Sequence, residues 1–416
     1  MRPRARPGYS RKMPGNRTCD VLVVGAGVAG TVLALELAGR GHRVVLADRA
    51  RVCAGSSGLN AGGLRVQFGQ ESNIRAAAAT IGRVAALREE LGEDVAFRRA
   101  GYLFLFDSAE HGALLEGAVA AQNAWDLPTR IVGREEIAEL VPGLRTDDLL
   151  GAAYSPTDGY VDPRALVTAL GRAAARAGVE IVEGFEVTGA AIAGQRVTSV
   201  TSARGERISA AVVVNAAGAW APGLAACWGG DLPIRPTRAQ AFVWDRAPVD
   251  GRLTPLTIDY GQGVYFHSEG RGLLLGISER TEEAGKPPWS VKPDPALVPE
   301  VHRRLAHRLP EMADARLAHS WAGFIEATPD DNPVIGWTHH ENVYTIAGFS
   351  GHGMCLAPGL APEAAREIGG EAARLRMDLY RLDRFEKGTS EAETVWGGRH
   401  EGGGTLTHGG PWKPGS

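Results

Sequence analysis

The chain has 416 residues, enough for two or three domain-sized units of roughly 150 residues each and for a substantial core. Hydrophobic residues make up 44% and charged residues 22%, which is ordinary globular usage. The formal net charge of −3 gives no reason to expect nucleic acid or an anionic membrane as a partner. Cys19, Cys53, Cys227 and Cys355 show neither CxxC nor metal-finger spacing, so no disulfide framework and no metal site are expected. A reducing, cytoplasmic location follows as the expectation. No run of about 18 apolar residues predicts a transmembrane segment.

The first 18 residues are basic, carry Pro7 and Pro14, and lack the apolar stretch of a signal peptide. They read as a flexible start, with Met13 a candidate alternative initiator. Residues 21–24 then predict a buried strand, a helix runs from Val28 to about Gly39–Gly41, and residues 44–47 form the next strand. Apolar positions every three or four residues predict a helix over Glu71–Leu91, followed by an apolar strand at Tyr102–Phe106. Asp162 caps a helix that has Pro163 at its first position and Gly178 just past its end. A strand at 179–182, alternating segments at 186–192 and 196–201, and a strand at 211–215 come next. From Leu232 the pattern changes to an open antiparallel sheet with strands near 240–244, 263–267 and 273–277. A proline-rich loop at 286–295 and an amphipathic helix at 297–308 follow. Dinucleotide-type features return at 321–370.

The fold class expected is α/β: a Rossmann-type dinucleotide-binding domain with a second, antiparallel-sheet substrate domain. The cofactor domain is discontinuous (19–97, 151–230 and 318–385), the substrate domain takes 98–150 and 231–317, and 386–416 is a flexible tail.

Four motifs carry chemistry. In GAGVAG, Gly25 permits a tight turn, Gly27 lets backbone approach a pyrophosphate, and Gly30 lets helix and strand pack closely. The helix start offers free N–H groups to phosphate. Asp48 lies at the end of the next strand, 18 residues after Gly30, where a carboxylate accepts ribose hydroxyls. A glycine turn without a ligand is the bland alternative, and the motif alone leaves FAD and NAD(P) both open. Ser56–Arg65 (SSGLNAGGLR) is a glycine-rich loop that reads equally as flexible surface. VVVNAAGAW is a buried strand ending in small residues, with Trp220 at the cofactor edge or simply in a βα turn. GFSGHG, residues 348–353, brings three glycines to the start of a helix, where negative charge on a reduced flavin would be stabilised.

Taken together in order, VLVVGAGVAG, SSGLNAGGLRVQF, AGYLFLF, DGYVDP, VVNAAGAWA, LPIRPTRAQ, EATPDDNPVIG and AGFSGHG resemble the D-amino-acid-oxidase-like FAD-dependent oxidoreductases. That group holds sarcosine oxidases, glycine oxidases and dimethylglycine dehydrogenases. The resemblance implies that Gly25, Gly27, Ala29, Gly30, Asp48 and Arg49 hold the ADP half of FAD. It places Ser57, Asn60, Ala61, Gly62, Gly63 and Leu64 along the pyrophosphate and the flavin ring, and the Val187 backbone at adenine. Gly218 and Trp220 would pack on the cofactor. Gly348, Gly351, Gly353 and Met354 would approach the pyrimidine edge. Arg65 falls where relatives bind the substrate carboxylate, a contact suited to the guanidinium fork, and Tyr265 falls near the sheet residues that face the flavin.

Three departures from the family pattern matter. The attachment cysteine of monomeric sarcosine oxidases falls near Gly323, and no histidine occupies the early loop, so the FAD is expected to be non-covalent. A lysine that helps hold the carboxylate is Cys355 here. The lysine that promotes reaction with oxygen falls at Leu274.

The expected reaction is oxidation of the C–N bond of a small-molecule amine or amino acid by hydride transfer to flavin N5, with oxygen or another carrier as electron acceptor. His267 and His352 are the candidate bases. The alternatives are a flavin-bearing assembly protein and an NAD(P)-dependent enzyme.

Overall fold

The computed structural model describes residues 16–92, 95–247, 254–277, 281–282 and 292–395. Its centre is an eight-stranded sheet. The strand Arg17–Val24 lies between Val44–Asp48 and Arg207–Asn215, parallel to both. Its apolar run from Val21 to Val24 is buried throughout, as a parallel strand covered on both faces requires. Glu180–Glu183 extends the sheet beyond Val44–Asp48, and Val343–Ala347 extends it beyond Arg207–Asn215, again in parallel. Val334–Trp337 closes that edge antiparallel. The hairpin Val187–Ala193 and Arg196–Ser202 branches off Arg207–Asn215.

One face of this sheet is covered by the helices Val28–Gly39, Glu71–Leu91, Pro163–Arg176 and Gly353–Ile368, which share one apolar core. Glu71–Leu91 has the predicted bounds. Pro163–Arg176 is capped as expected, the Asp162 side chain accepting from the amides of Arg164 and Ala165. Gly353–Ile368 presses onto Glu71–Leu91 so closely that a Cβ at Gly359 would lie 2.0 Å from the Ala76 carbonyl oxygen.

The second sheet has nine strands and is mixed rather than antiparallel. Among the described residues its one parallel pair is Tyr102–Phe106 with Leu256–Asp259. The two strands are joined only through the whole intervening sequence, and such a long crossover permits parallel pairing. The other pairs, among them Arg235–Trp244 with Gly272–Ile277 and Val264–Glu269 with Gly272–Ile277, are antiparallel. The helix Val298–Arg308 covers the outer face, whereas Tyr102, Leu256, Ile258 and Tyr265 lie on the face turned toward the first sheet.

Several expected boundaries move. Gly151–Ser155 pairs with Tyr102–Phe106 and belongs to the second sheet, not to the cofactor unit. Leu317–Ala327 pairs along its length with Arg235–Trp244, so the second sheet runs to Ala327 rather than to 317. The first strand starts at Arg17, inside the segment expected to be flexible. The helix Ala109–Asn123, capped by Ser108, has no counterpart among the predicted elements.

The start of the expected tail is also packed. Glu393 and Val395 are buried, and the Glu393 carboxylate accepts from the amides of Gly69 and Val395 and from Asn73 Nδ2. Residues 1–15 and 396–416, and most of the proline-rich loop, lie outside the described residues.

Candidate active site and cofactor cavity

The two sheets enclose a cavity of about 740 Å³, within the roughly 300–1,000 Å³ usual for small-molecule and cofactor sites. One end is the glycine turn. Gly25 adopts φ +114°, and a Cβ there would lie 2.2 Å from the Ala216 carbonyl oxygen. Only glycine lets the turn pass so close to the end of the neighbouring strand. Gly27 and Ala29 line the cavity at the start of the first helix, and the Val28 amide donates to Ser57 Oγ at 3.0 Å. Asp48 lines the same end. Its carboxylate accepts from the amides of Ala26 and Ala50 at 2.8 and 2.7 Å, while burial pushes its pKa above the usual carboxylate value. Arg49 pairs with Glu186 at 3.1 Å and lies over the Trp220 ring. Arg49, Trp220, Gly218 and Val187 all line the cavity.

The far end is built by the glycine-rich loop, the second sheet and the GFSGHG turn. Ser57, Asn60, Ala61 and Gly63 line it from the loop, and Gly351, His352, Gly353 and Met354 line it from the turn. Trp321 Nε1 fixes the loop by donating to the Leu59 carbonyl at 2.8 Å. Tyr265 lines the sheet side, its ring lying across Gly276 where a Cβ would be 1.9 Å from Tyr265 Cζ. His352 packs edge-on against Phe68.

Arg65 also lines this end and is only 3% exposed. Its guanidinium donates to the carbonyls of Gln67 and Val395 and lies over the rings of Phe68 and Phe104, 4.1 and 5.1 Å from their centroids. Among the described residues no carboxylate forms an ion pair with it. The nearby Asp158 carboxyl accepts from the Val66 amide at 3.0 Å, and burial raises its pKa to about 7 against the pull of its hydrogen bonds and of Arg65. Cys355 adjoins Arg65, and its thiol donates to the Gly63 carbonyl at 3.2 Å.

Four expected contact residues do not line the cavity. Gly30 serves packing, since a Cβ there would lie 1.9 Å from the Gly25 carbonyl oxygen. Gly62 turns the loop beneath Val161, Leu64 is buried in the helical core, and Gly348 packs against Thr328 and Ile234. His267 is set aside as a base: it is buried, and its two ring nitrogens face the carbonyls of Ser268 and Ala61 at 2.8 and 2.9 Å. Leu274 is buried in its strand beside His267 and Val243 and does not line the cavity, so it says nothing about the electron acceptor.

The sequence reading missed Tyr102, Trp321 and Glu326 as cavity residues. Glu326 had a signal: a lone acid in the otherwise apolar run Trp321–Ala327.

These surfaces fit FAD. Backbone amides at a helix start suit a pyrophosphate, and Gly323, near which the resemblance puts the attachment cysteine, has no side chain to form a bond. The family model "FAD dependent oxidoreductase" matches residues 20–367. The chain is 30% identical to a glycine oxidase of Geobacillus kaustophilus, covering 82% of this chain and 90% of that one. It is 28% identical to the Bos taurus FAD-dependent oxidoreductase domain-containing protein 1, covering 92% and 87%. The solved structure of an L-proline dehydrogenase from P. horikoshii superposes with TM-score 0.84 at 30% identity, over 91% of this chain and all of that one. The glycine turn left NAD(P) open, and the family match decides for FAD. The chain belongs to the FAD-dependent oxidoreductase family, and FAD, held non-covalently, is its cofactor.

Proposed function

We propose that the protein oxidises the C–N bond of an amino acid, with Arg65 as the anchor of the substrate carboxylate. The observation that carries this reading is Arg65 itself: a cation 3% exposed at the cavity wall, with no carboxylate paired to it among the described residues. Holding a buried charge without its counter-ion costs several kcal/mol, by roughly the magnitude of effective desolvation penalties. A substrate carboxylate would offset that cost. The relatives, a glycine oxidase and an L-proline dehydrogenase, support an amino acid as the substrate.

FAD, when bound, supplies the electron sink that accepts a hydride. The chain supplies position and environment. Arg65 fixes the carboxylate, and the Asp158 carboxyl holds the Val66 amide beside it. Tyr102, Leu256, Ile258 and Tyr265 form an apolar wall that excludes water and takes an apolar side chain. Such a wall favours the neutral amine, the form that can release electron density to the breaking C–H bond. Gly25, Gly27, Asp48, Ser57 and Gly218 hold the dinucleotide end, and Asn60, Ala61, Gly63, Gly351, Gly353 and Met354 line the ring end. His352, in the turn at the ring end, is the candidate for moving a proton. The imine product would hydrolyse in water.

The test is an anaerobic screen of amino acids and amines on the yellow holoprotein, following loss of flavin absorbance. Bleaching by apolar amino acids supports the reading. Bleaching by none of them, with dithionite still able to reduce the flavin, rejects it.

A further inference from the structure

Glu326 is a half-buried acid that the proposed chemistry does not use. It lies in the strand Leu317–Ala327 and lines the cavity. Its main-chain carbonyl accepts from the Ser350 amide at 3.1 Å, which ties the strand to the GFSGHG turn. The amides of Gly348 and Phe349 are directed at its carboxyl. Its Oε2 is shielded from solvent yet has no hydrogen-bond partner. That oxygen is 3.1 Å from where a Cβ on Gly218 would sit. A shielded carboxylate oxygen without a donor is costly, by about 1–3 kcal/mol or more for a charged group, and native structures rarely tolerate one.

The position of Glu326 says which part of the cofactor would supply the donor. Gly218 follows Ala216 and Ala217, which press against Gly25 at the pyrophosphate end. The GFSGHG turn leads to the ring end, where His352 and Cys355 lie with Arg65. Glu326 therefore stands between the two ends, along the stretch that joins a pyrophosphate to a flavin ring. In FAD that link is a polyol chain carrying three hydroxyls. The pyrophosphate is not a partner for a carboxylate, because like charges repel. The hydroxyls are neutral donors, and a carboxylate is a strong acceptor.

We propose that Glu326 binds the polyol chain of FAD, its unpartnered carboxylate oxygen accepting a hydrogen bond from one chain hydroxyl. Binding then removes the one unsatisfied oxygen that the strand carries into the cavity. Burial raises the Glu326 pKa to about 7, and a hydroxyl donor favours the ionised form over the protonated one. The carboxylate would also hold the GFSGHG turn against the chain, positioning it without touching the reacting atoms.

The proposal is tested by flavin exchange on full-length holoprotein, whatever the substrate proves to be. Bound FAD is competed with each of three FAD analogues lacking a single polyol hydroxyl, and the bound fraction of each is read after separation. Wild-type protein should prefer FAD about tenfold over one of the three, and Glu326→Ala should lower that preference below about twofold. Glu326→Gln keeps an oxygen acceptor without the charge and should show an intermediate preference. It also serves if the alanine variant fails to retain flavin. A preference unchanged in Glu326→Gln or surviving in Glu326→Ala, or a wild-type protein indifferent to all three analogues, overturns the proposal. A protein that oxidises no amino acid leaves this result intact, since the exchange reads flavin alone.

Discussion

At single residues, the cavity combines positions where a side chain is forbidden with positions where a charge is held out of water. Gly27 is of the first kind. Its backbone is ordinary, with φ −76°, so a valine there should not prevent folding. The new Cβ would lie 3.1 Å from Ser57 Oγ, with its branches directed at the phosphate site. Gly27→Val should yield folded protein with little or no bound flavin, read from the ratio of visible to ultraviolet absorbance. Wild-type flavin content would place the phosphates elsewhere.

Asp158, buried behind the cavity wall near Arg65, is of the second kind. Burial raises its pKa to about 7, from an ordinary 3.8. Between those values the folded protein binds more protons than the unfolded chain, so stability falls as pH rises through the window. Asp158→Asn should flatten the decline between about pH 4 and pH 7, measured by urea unfolding. Identical slopes for the two proteins would mean that the carboxyl keeps its ordinary pKa.

Among the elements, legibility followed the range of the interactions. The helix Glu71–Leu91 was readable because its own periodicity states which face is buried. The strand–turn–helix of the glycine motif was readable from its spacing, although only Gly30 answers a clash inside the motif, with the Gly25 carbonyl, while Gly25 meets Ala216 and Gly27 meets Ser57. The C-terminal segment was not. Residues 389–395 look like a polar tail by composition, yet Glu393 supplies the acceptor for donors on Gly69 and Asn73, more than 300 residues away in sequence. The turn Thr328–Asn332 depends on the same kind of partner. Arg384 pairs with Asp330 at 2.7 Å, with side-chain exposures of 2% and 4%. Arg384→Ala would leave a buried carboxylate without its cation and should cost about 3–5 kcal/mol. Denaturant unfolding checks this, and a loss below about 1 kcal/mol would mean that the turn stands without the pair.

Across the whole molecule, the first sheet presents a dinucleotide site and the second an apolar wall, and Arg65 sits where they meet. The resemblance anticipated Arg65 by position, but the sequence could not say that the residue would be buried or that the Val395 carbonyl would reach it. Most of the expected cofactor contacts do line the cavity. Glu326 escaped notice because an acid near a strand end reads as solvated until the opposing loops are in place.

The most direct measurement compares an apolar amino acid with its decarboxylated amine, in wild type and in Arg65→Ala, by anaerobic flavin bleaching. An ion-paired hydrogen bond of about 1.5–3 kcal/mol corresponds to at least about tenfold in affinity. The amino acid should bind Arg65→Ala at least about tenfold more weakly, the amine should be affected little, and Arg65→Lys should recover only part of the loss. An equal loss for both compounds would contradict the account, and Arg65 would then be a support for the flavin loop rather than the carboxylate anchor.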